Sequence, residues 1–137
     1  MSSDVDPAQP ADLVTEWRAL LARHAATACA LDRELGEHCG LGMSEFEVLE
    51  RLAEDESGGG QLRVQELAEK VHLSQSALSR LIGRLEKTGL VERHMCPEDR
   101  RGVFVLLSEY GHQRYQEARP LHREVLERTL TEPPAGA

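Results

Sequence analysis

The chain has 137 residues and a formal net charge of −8, a length that suits one domain with a modest core. It holds no run of about 18 apolar residues that would read as a membrane span, and its acidic, polar start, Met1-Ser2-Ser3-Asp4-Val5-Asp6-Pro7, is unlike a signal peptide. Cys29, Cys39 and Cys96 lack C-x-x-C spacing, which favours a reduced, cytoplasmic setting over a disulfide framework.

Residues 1–10, with two prolines and two aspartates, read as a flexible tail. From residue 11 to about 37 the pattern predicts one long helix. Leu13, Trp17, Leu20, Leu21, His24, Ala28, Leu31 and Leu35 recur at three- and four-residue steps. That stripe is longer than a small core needs, so part of it is expected to meet a second subunit. Gly40 and Gly42 break the chain, and Ser44 with Glu47 reads as a capping box opening a helix through about Glu54. Phe46, Leu49, Leu52 and Ala53 would form its inner face. Ser57-Gly58-Gly59-Gly60 reads as a loop, with a short strand expected at Leu62.

Val64 to Val71 reads as a short helix, His72-Leu73-Ser74 as a turn, and Ser74 to about Lys87 as a second helix stopped by Gly89. Leu67, Val71, Leu73, Leu78, Leu81 and Leu85 let the two helices bury one face against each other. Ala68 is small where they would cross. This is the apolar pattern of a helix-turn-helix, whose second helix enters a DNA major groove. The outward face carries Ser74, Gln75, Ser76, Ser79, Arg80, Arg84 and Lys87. Short polar side chains near a helix start reach base edges and phosphates, and arginine pairs with guanine.

Leu90 to Met95 and Gly102 to Leu107 are strand-like. The tip between them, Cys96-Pro97-Glu98-Asp99-Arg100-Arg101, carries proline and clustered charge. A hairpin after a helix-turn-helix is a wing, and its arginines suit the negative potential of a minor groove. Ser108 is placed to cap a helix through about Arg119, where Pro120 either kinks it or opens a new one. Leu121, Val125, Leu126 and Leu130 continue an apolar stripe, and residues 132–137 read as a tail.

Charge is unevenly spread. Residues 1–60 hold 13 acids and 4 bases, residues 61–108 hold 6 acids and 8 bases, and residues 109–137 hold 5 acids and 4 bases. The acid lies mostly outside the proposed binding module, and local field matters more to DNA than total charge. The modest local excess of base implies salt-sensitive binding with weak non-specific affinity.

Asp99-Arg100-Arg101-Gly102-Val103-Phe104-Val105-Leu106-Leu107-Ser108 resembles the wing signature of the MarR family, D-x-R-x-x-x-V-x-L-T, with Ser108 where threonine is usual. Ser79 to Arg93 is similar to that family's recognition helix and its exit. The resemblance extends over residues 11–131 and is most specific over 64–108. It implies an α+β, mostly helical fold: a winged helix-turn-helix at about 44–108, with dimerisation helices at about 11–37 and 109–131. It also implies a homodimer on a pseudo-palindromic operator, working in most relatives as a repressor. Arg101 would be the minor-groove residue, oriented with Arg100 by Asp99. Trp17, Leu20, Leu21, Leu121, Val125, Leu126 and Leu130 would form the dimer interface. The chain stops soon after Leu130, where relatives often have a further helix, so that interface is expected to be small. A small effector, often an aromatic acid or phenol in relatives, would bind between the first helices and the DNA module. Trp17, His38 and Arg51 are the candidates to line its pocket.

Other chemistry is weakly represented. There is no G-x-S-x-G, phosphate loop or paired-carboxylate cleft, so no catalytic residue is expected. No H-E-x-x-H or C-x-x-C spacing marks a metal site, and no cofactor is expected. Two further readings stay open. One is a winged-helix module that binds protein, which the low local charge favours and Arg80, Arg84, Arg100 and Arg101 disfavour. The other is a redox-sensing regulator using Cys96, which lies near Arg93, Arg100 and Arg101.

Overall fold

The computed structural model describes residues 10–55, 61–95 and 103–131. The expected tails, the Ser57–Gly60 loop and the wing tip with Cys96, Asp99, Arg100 and Arg101 lie outside the described residues. The order is α1 (Pro10–Cys39), α2 (Met43–Glu54), β1 (Gln61–Arg63), α3 (Val64–Val71), α4 (Gln75–Lys87), β2 (Val91–Met95), β3 (Val103–Leu107) and α5 (Glu109–Thr131). The expected mostly helical winged-helix fold is present, and no helix among the described residues is long and apolar enough to cross a membrane.

The sheet is antiparallel in the order β1-β3-β2. Its register sets Leu62 opposite Val105 and Val91 opposite Leu107. Leu62, Val91 and Val105 are buried, one from each strand, while the rest of β2 is exposed and the rest of β3 is half-buried. Leu78, Leu81, Ile82 and Leu85 bury one face of α4 against the same core, which also takes Leu35, Phe46, Leu49, Leu52 and Leu67. Ile82 was not among the expected inner residues.

Three local expectations are corrected. The cap of α2 is Gly42, not Ser44. Gly42 has no side chain to close the box, so carboxylates supply its first turn. Glu45 Oε1 accepts from Gly42 N–H at 2.7 Å, and Asp32 Oδ1 of α1 accepts from Met43 N–H at 2.7 Å. Glu47 pairs instead with Arg51 one turn on, at 3.2 Å. The helix expected to end near Arg119 runs on through Pro120 to Thr131 as α5, so Pro120 does not open a new helix. Burial of Ala118, His122 and Val125 on the inner face holds the helix across the missing N–H. Val125 is wholly buried within the subunit rather than left over for a partner.

α1 and α5 pack antiparallel. Arg114 of α5 donates to the Cys39 carbonyl at one end, while Thr27 Oγ1 donates to Thr129 Oγ1 at 3.0 Å towards the other. Arg128 and Glu34 form an ion pair between them. Only the C-terminal half of α1 joins the core, through Ala30, Leu31 and Leu35. Leu13, Val14, Trp17, Leu20 and Leu21 of its N-terminal half are exposed.

The wing base is locked to α5. Ser108 N–H donates to the Leu90 carbonyl at 3.1 Å, and Ser108 Oγ accepts from Gly111 N–H at 2.9 Å. Gly111 is buried so closely that a Cβ there would lie 2.0 Å from the Leu90 oxygen.

Candidate nucleic-acid interface and effector cavity

α4 separates its faces cleanly. Ser74 begins it as a true cap, its Oγ accepting from Ala77 N–H at 3.2 Å. Gln75, Ser76, Ser79, Arg80, Arg84 and Lys87 are all exposed on the side away from the buried leucines. The helix has no acid in its first turn, so nothing there offsets the positive end of its dipole. Its one acid, Glu86, receives Arg93 Nε of β2 at 3.1 Å.

A groove of about 590 Å³ runs beside α4, lined by Arg63, Val64, Gln65, Gln75, Ser79, Arg93 and Val103. It brings the start of α4 together with the start of α3 and the root of the wing. Arg63 sits over the Phe104 ring at 5.4 Å, held there by the β1–β3 register. Strand and helix thus present one continuous polar and basic strip. Its shape suits phosphate and base-edge contact better than a closed active site.

A second cavity, of about 580 Å³, lies where α1, α2, α5 and the α3–α4 turn meet. Leu31, Met43, Val71, Leu73 and Leu126 make its apolar wall, and His24, Ser44, Glu47, Glu50, His72 and His122 its polar one. Trp17, His38 and Arg51 do not line it. Trp17 is exposed about two turns along α1 from His24. His38 is exposed in the last turn of α1. Arg51 points to Glu47 and Glu54.

Behind this cavity lies a buried polar network. Tyr115 Oη donates to Glu50 Oε2 at 3.0 Å, and Arg123 donates to the same oxygen. Burial alone would push the Glu50 carboxyl up, but hydrogen bonds from Arg123 and Tyr115 together outweigh it and hold it below the usual range. Burial pushes His122 down, against the pull of Glu50, and raises Tyr115, with Glu50 adding to the rise. The His122 ring stacks on Phe46 with centroids 4.2 Å apart.

Of the expected interface residues, Trp17, Leu20, Leu21 and Leu130 are exposed, whereas Leu121 and Leu126 are half-buried against the core.

The MarR family model matches residues 41–103. The crystal structure of AbsC, a MarR family transcriptional regulator from Streptomyces coelicolor, superposes with a TM-score of 0.78 at 31% identity, over 93% of this chain and 83% of that one. Sco3205, a MarR family transcriptional regulator from the same organism solved in complex with DNA, gives 0.80 at 30% identity, over 94% of this chain and 79% of that one. The chain belongs to the MarR family. It is also 41% identical over 69 residues to YfiV, an uncharacterized HTH-type transcriptional regulator of Bacillus subtilis, covering 50% of this chain and 41% of that protein. The chain spans about half the length of the curated relatives it matches.

Within this MarR-family fold, the sequence reading missed Arg63, Gln65 and Arg93 of the groove. Two of them are bases within strands, Arg63 in β1 and Arg93 in β2, and both strands pair with β3. It also missed the cavity's histidines. His24 was counted in the apolar stripe of α1, while His72 and His122 come from elements far apart in sequence.

Proposed function

We propose that this chain is a sequence-specific, double-stranded-DNA-binding transcriptional regulator. It acts as a homodimer on a pseudo-palindromic operator in the cytoplasm. The observation that carries this reading is the division of α4 into a buried apolar face and an exposed face of Gln75, Ser76, Ser79, Arg80, Arg84 and Lys87. Sco3205 of the same family is known in a DNA complex, which supports it. Each subunit lays α4 in a major groove and its wing in the flanking minor groove. Arg101 enters that minor groove and Asp99 orients the arginines. Occupancy blocks transcription, and a small ligand in the α1–α2–α5 cavity shifts the spacing of the two α4 helices to release the operator.

Dimerisation uses Trp17, Leu20, Leu21 and Leu130. A subunit alone would leave this apolar surface in water, as interfaces do before assembly. The test is to sequence the DNA that the protein selects from a genomic library, then titrate the recovered duplex in gel shifts at rising salt. A two-fold-related site whose binding fades with salt is expected. Failure to enrich any duplex would leave the protein-binding reading, which the modest local charge favours.

A further inference from the structure

We propose that Glu47, Glu50 and His122 form a binding site for a divalent first-row transition ion of the Zn²⁺ class. One donor atom from each lies within 4.8 Å of the others. Glu47 and Glu50 stand three apart on α2 and so share a face. His122 reaches them from α5, its ring plane set by the stack on Phe46.

Each of the three has one polar atom engaged and one open. Both hydrogen bonds to Glu50 land on Oε2. Glu47 Oε2 takes Arg51 Nε, and His122 Nδ1 faces Arg123 at 2.7 Å. Glu50 Oε1, Glu47 Oε1 and His122 Nε2 have no hydrogen-bond partner among the described residues. Glu50 and His122 are only 8% and 6% exposed. No buried side-chain nitrogen or oxygen among the described residues is both sealed and unpartnered. The open atoms of these two residues therefore face the cavity that all three line.

Carboxylate and imidazole together suit Zn²⁺, Fe²⁺ or Mn²⁺ rather than a thiophilic ion. Three donors each about 2.1 Å from one ion lie roughly 3.4–3.6 Å apart, so a pair as far as 4.8 Å must close by about an ångström. Turning the half-buried Glu47 supplies much of it. His24, His72 or water completes the shell from the same cavity.

The site has a built-in competitor. An ion on Nε2 requires the ring proton on Nδ1, where Arg123 now points a donor. Arg123 must then turn away, and its side chain, 42% exposed, has solvent to turn into. Removing it should favour the ion.

The test uses the full chain with Cys29, Cys39 and Cys96 changed to Ser, which removes thiolate sites. Zn²⁺ is titrated calorimetrically, and Co²⁺ is followed by its visible absorption. One ion per chain is expected. Glu47→Gln and His122→Gln should each weaken Zn²⁺ by at least about tenfold, and Arg123→Ala should tighten it. Should His122→Gln fail to fold, Glu47→Gln and Arg123→Ala still decide, since both side chains are half-buried or exposed. No binding at millimolar Zn²⁺, binding indifferent to Glu47→Gln, or weaker binding by Arg123→Ala would overturn the proposal. Binding is read without DNA, so the result is independent of operator recognition.

Discussion

Gly111→Ala should destabilise the protein even though it improves helix propensity. Gly111 lies inside α5, where alanine would ordinarily gain about 1 kcal/mol. Here the added Cβ would sit 2.0 Å from the Leu90 oxygen and 2.9 Å from its carbonyl carbon. Ordinary contact begins at 3.4 Å, so the wing base and α5 must part by more than an ångström. Overpacking of this kind costs about 1–3 kcal/mol. The shift also strains the bonds from Ser108 to Leu90 and Gly89, each contributing about 1 kcal/mol. Net of propensity, the loss is about 2–4 kcal/mol, a large part of a typical domain's stability. Urea unfolding followed by circular dichroism measures it. Gly36→Ala is the control, because nothing lies within 4 Å of its added Cβ, and it should hold or raise stability by up to about 1 kcal/mol. If Gly111→Ala matched Gly36→Ala, the close approach of α5 to Leu90 would be refuted.

Arg84→Ala should lower operator affinity in a gel shift with an unchanged melting temperature, since Arg84 is exposed on α4. Leu81→Ala should instead lose about 2–5 kcal/mol of stability as a deletion from the core. Arg101→Ala should weaken operator binding by roughly 1–3 kcal/mol per site and flatten its salt dependence; full affinity would remove the minor-groove assignment. Leu20→Glu, on the exposed half of α1, should give a folded monomer by sedimentation with greatly reduced operator affinity, whereas a variant that stays dimeric would move the interface elsewhere.

The helix-turn-helix and wing were readable because their signals are local. Leu78, Leu81 and Leu85 recur at helical steps, and Val103, Val105 and Leu107 alternate at strand steps, so each element shows its buried face within a short window. The bounds of α3 and the positive φ of Gly89 follow from the same local chemistry. What was not readable depends on elements meeting. Asp32 completes the cap of α2 only because α1 passes beside it. Val125 looked like a spare apolar residue, yet α5 turns it into the core. The cavity draws His24, Glu50, His72 and His122 from four parts of the chain, and no spacing rule links them.

His72 ends α3 in the left-handed conformation, with φ 58°. It also forms part of the cavity wall, and α4 starts only three residues later. The pivot of the helix-turn-helix is therefore a side of the chamber. The 13 residues of α4 make a lever about 20 Å long. A tilt of about 5° at this pivot carries the far end of that lever by roughly 1.7 Å. Hydrogen bonds to base edges tolerate only a few tenths of an ångström. On the proposed function, a molecule filling the chamber would need to move this turn very little to take α4 out of register with a groove, and the lever that does so lies within a single subunit.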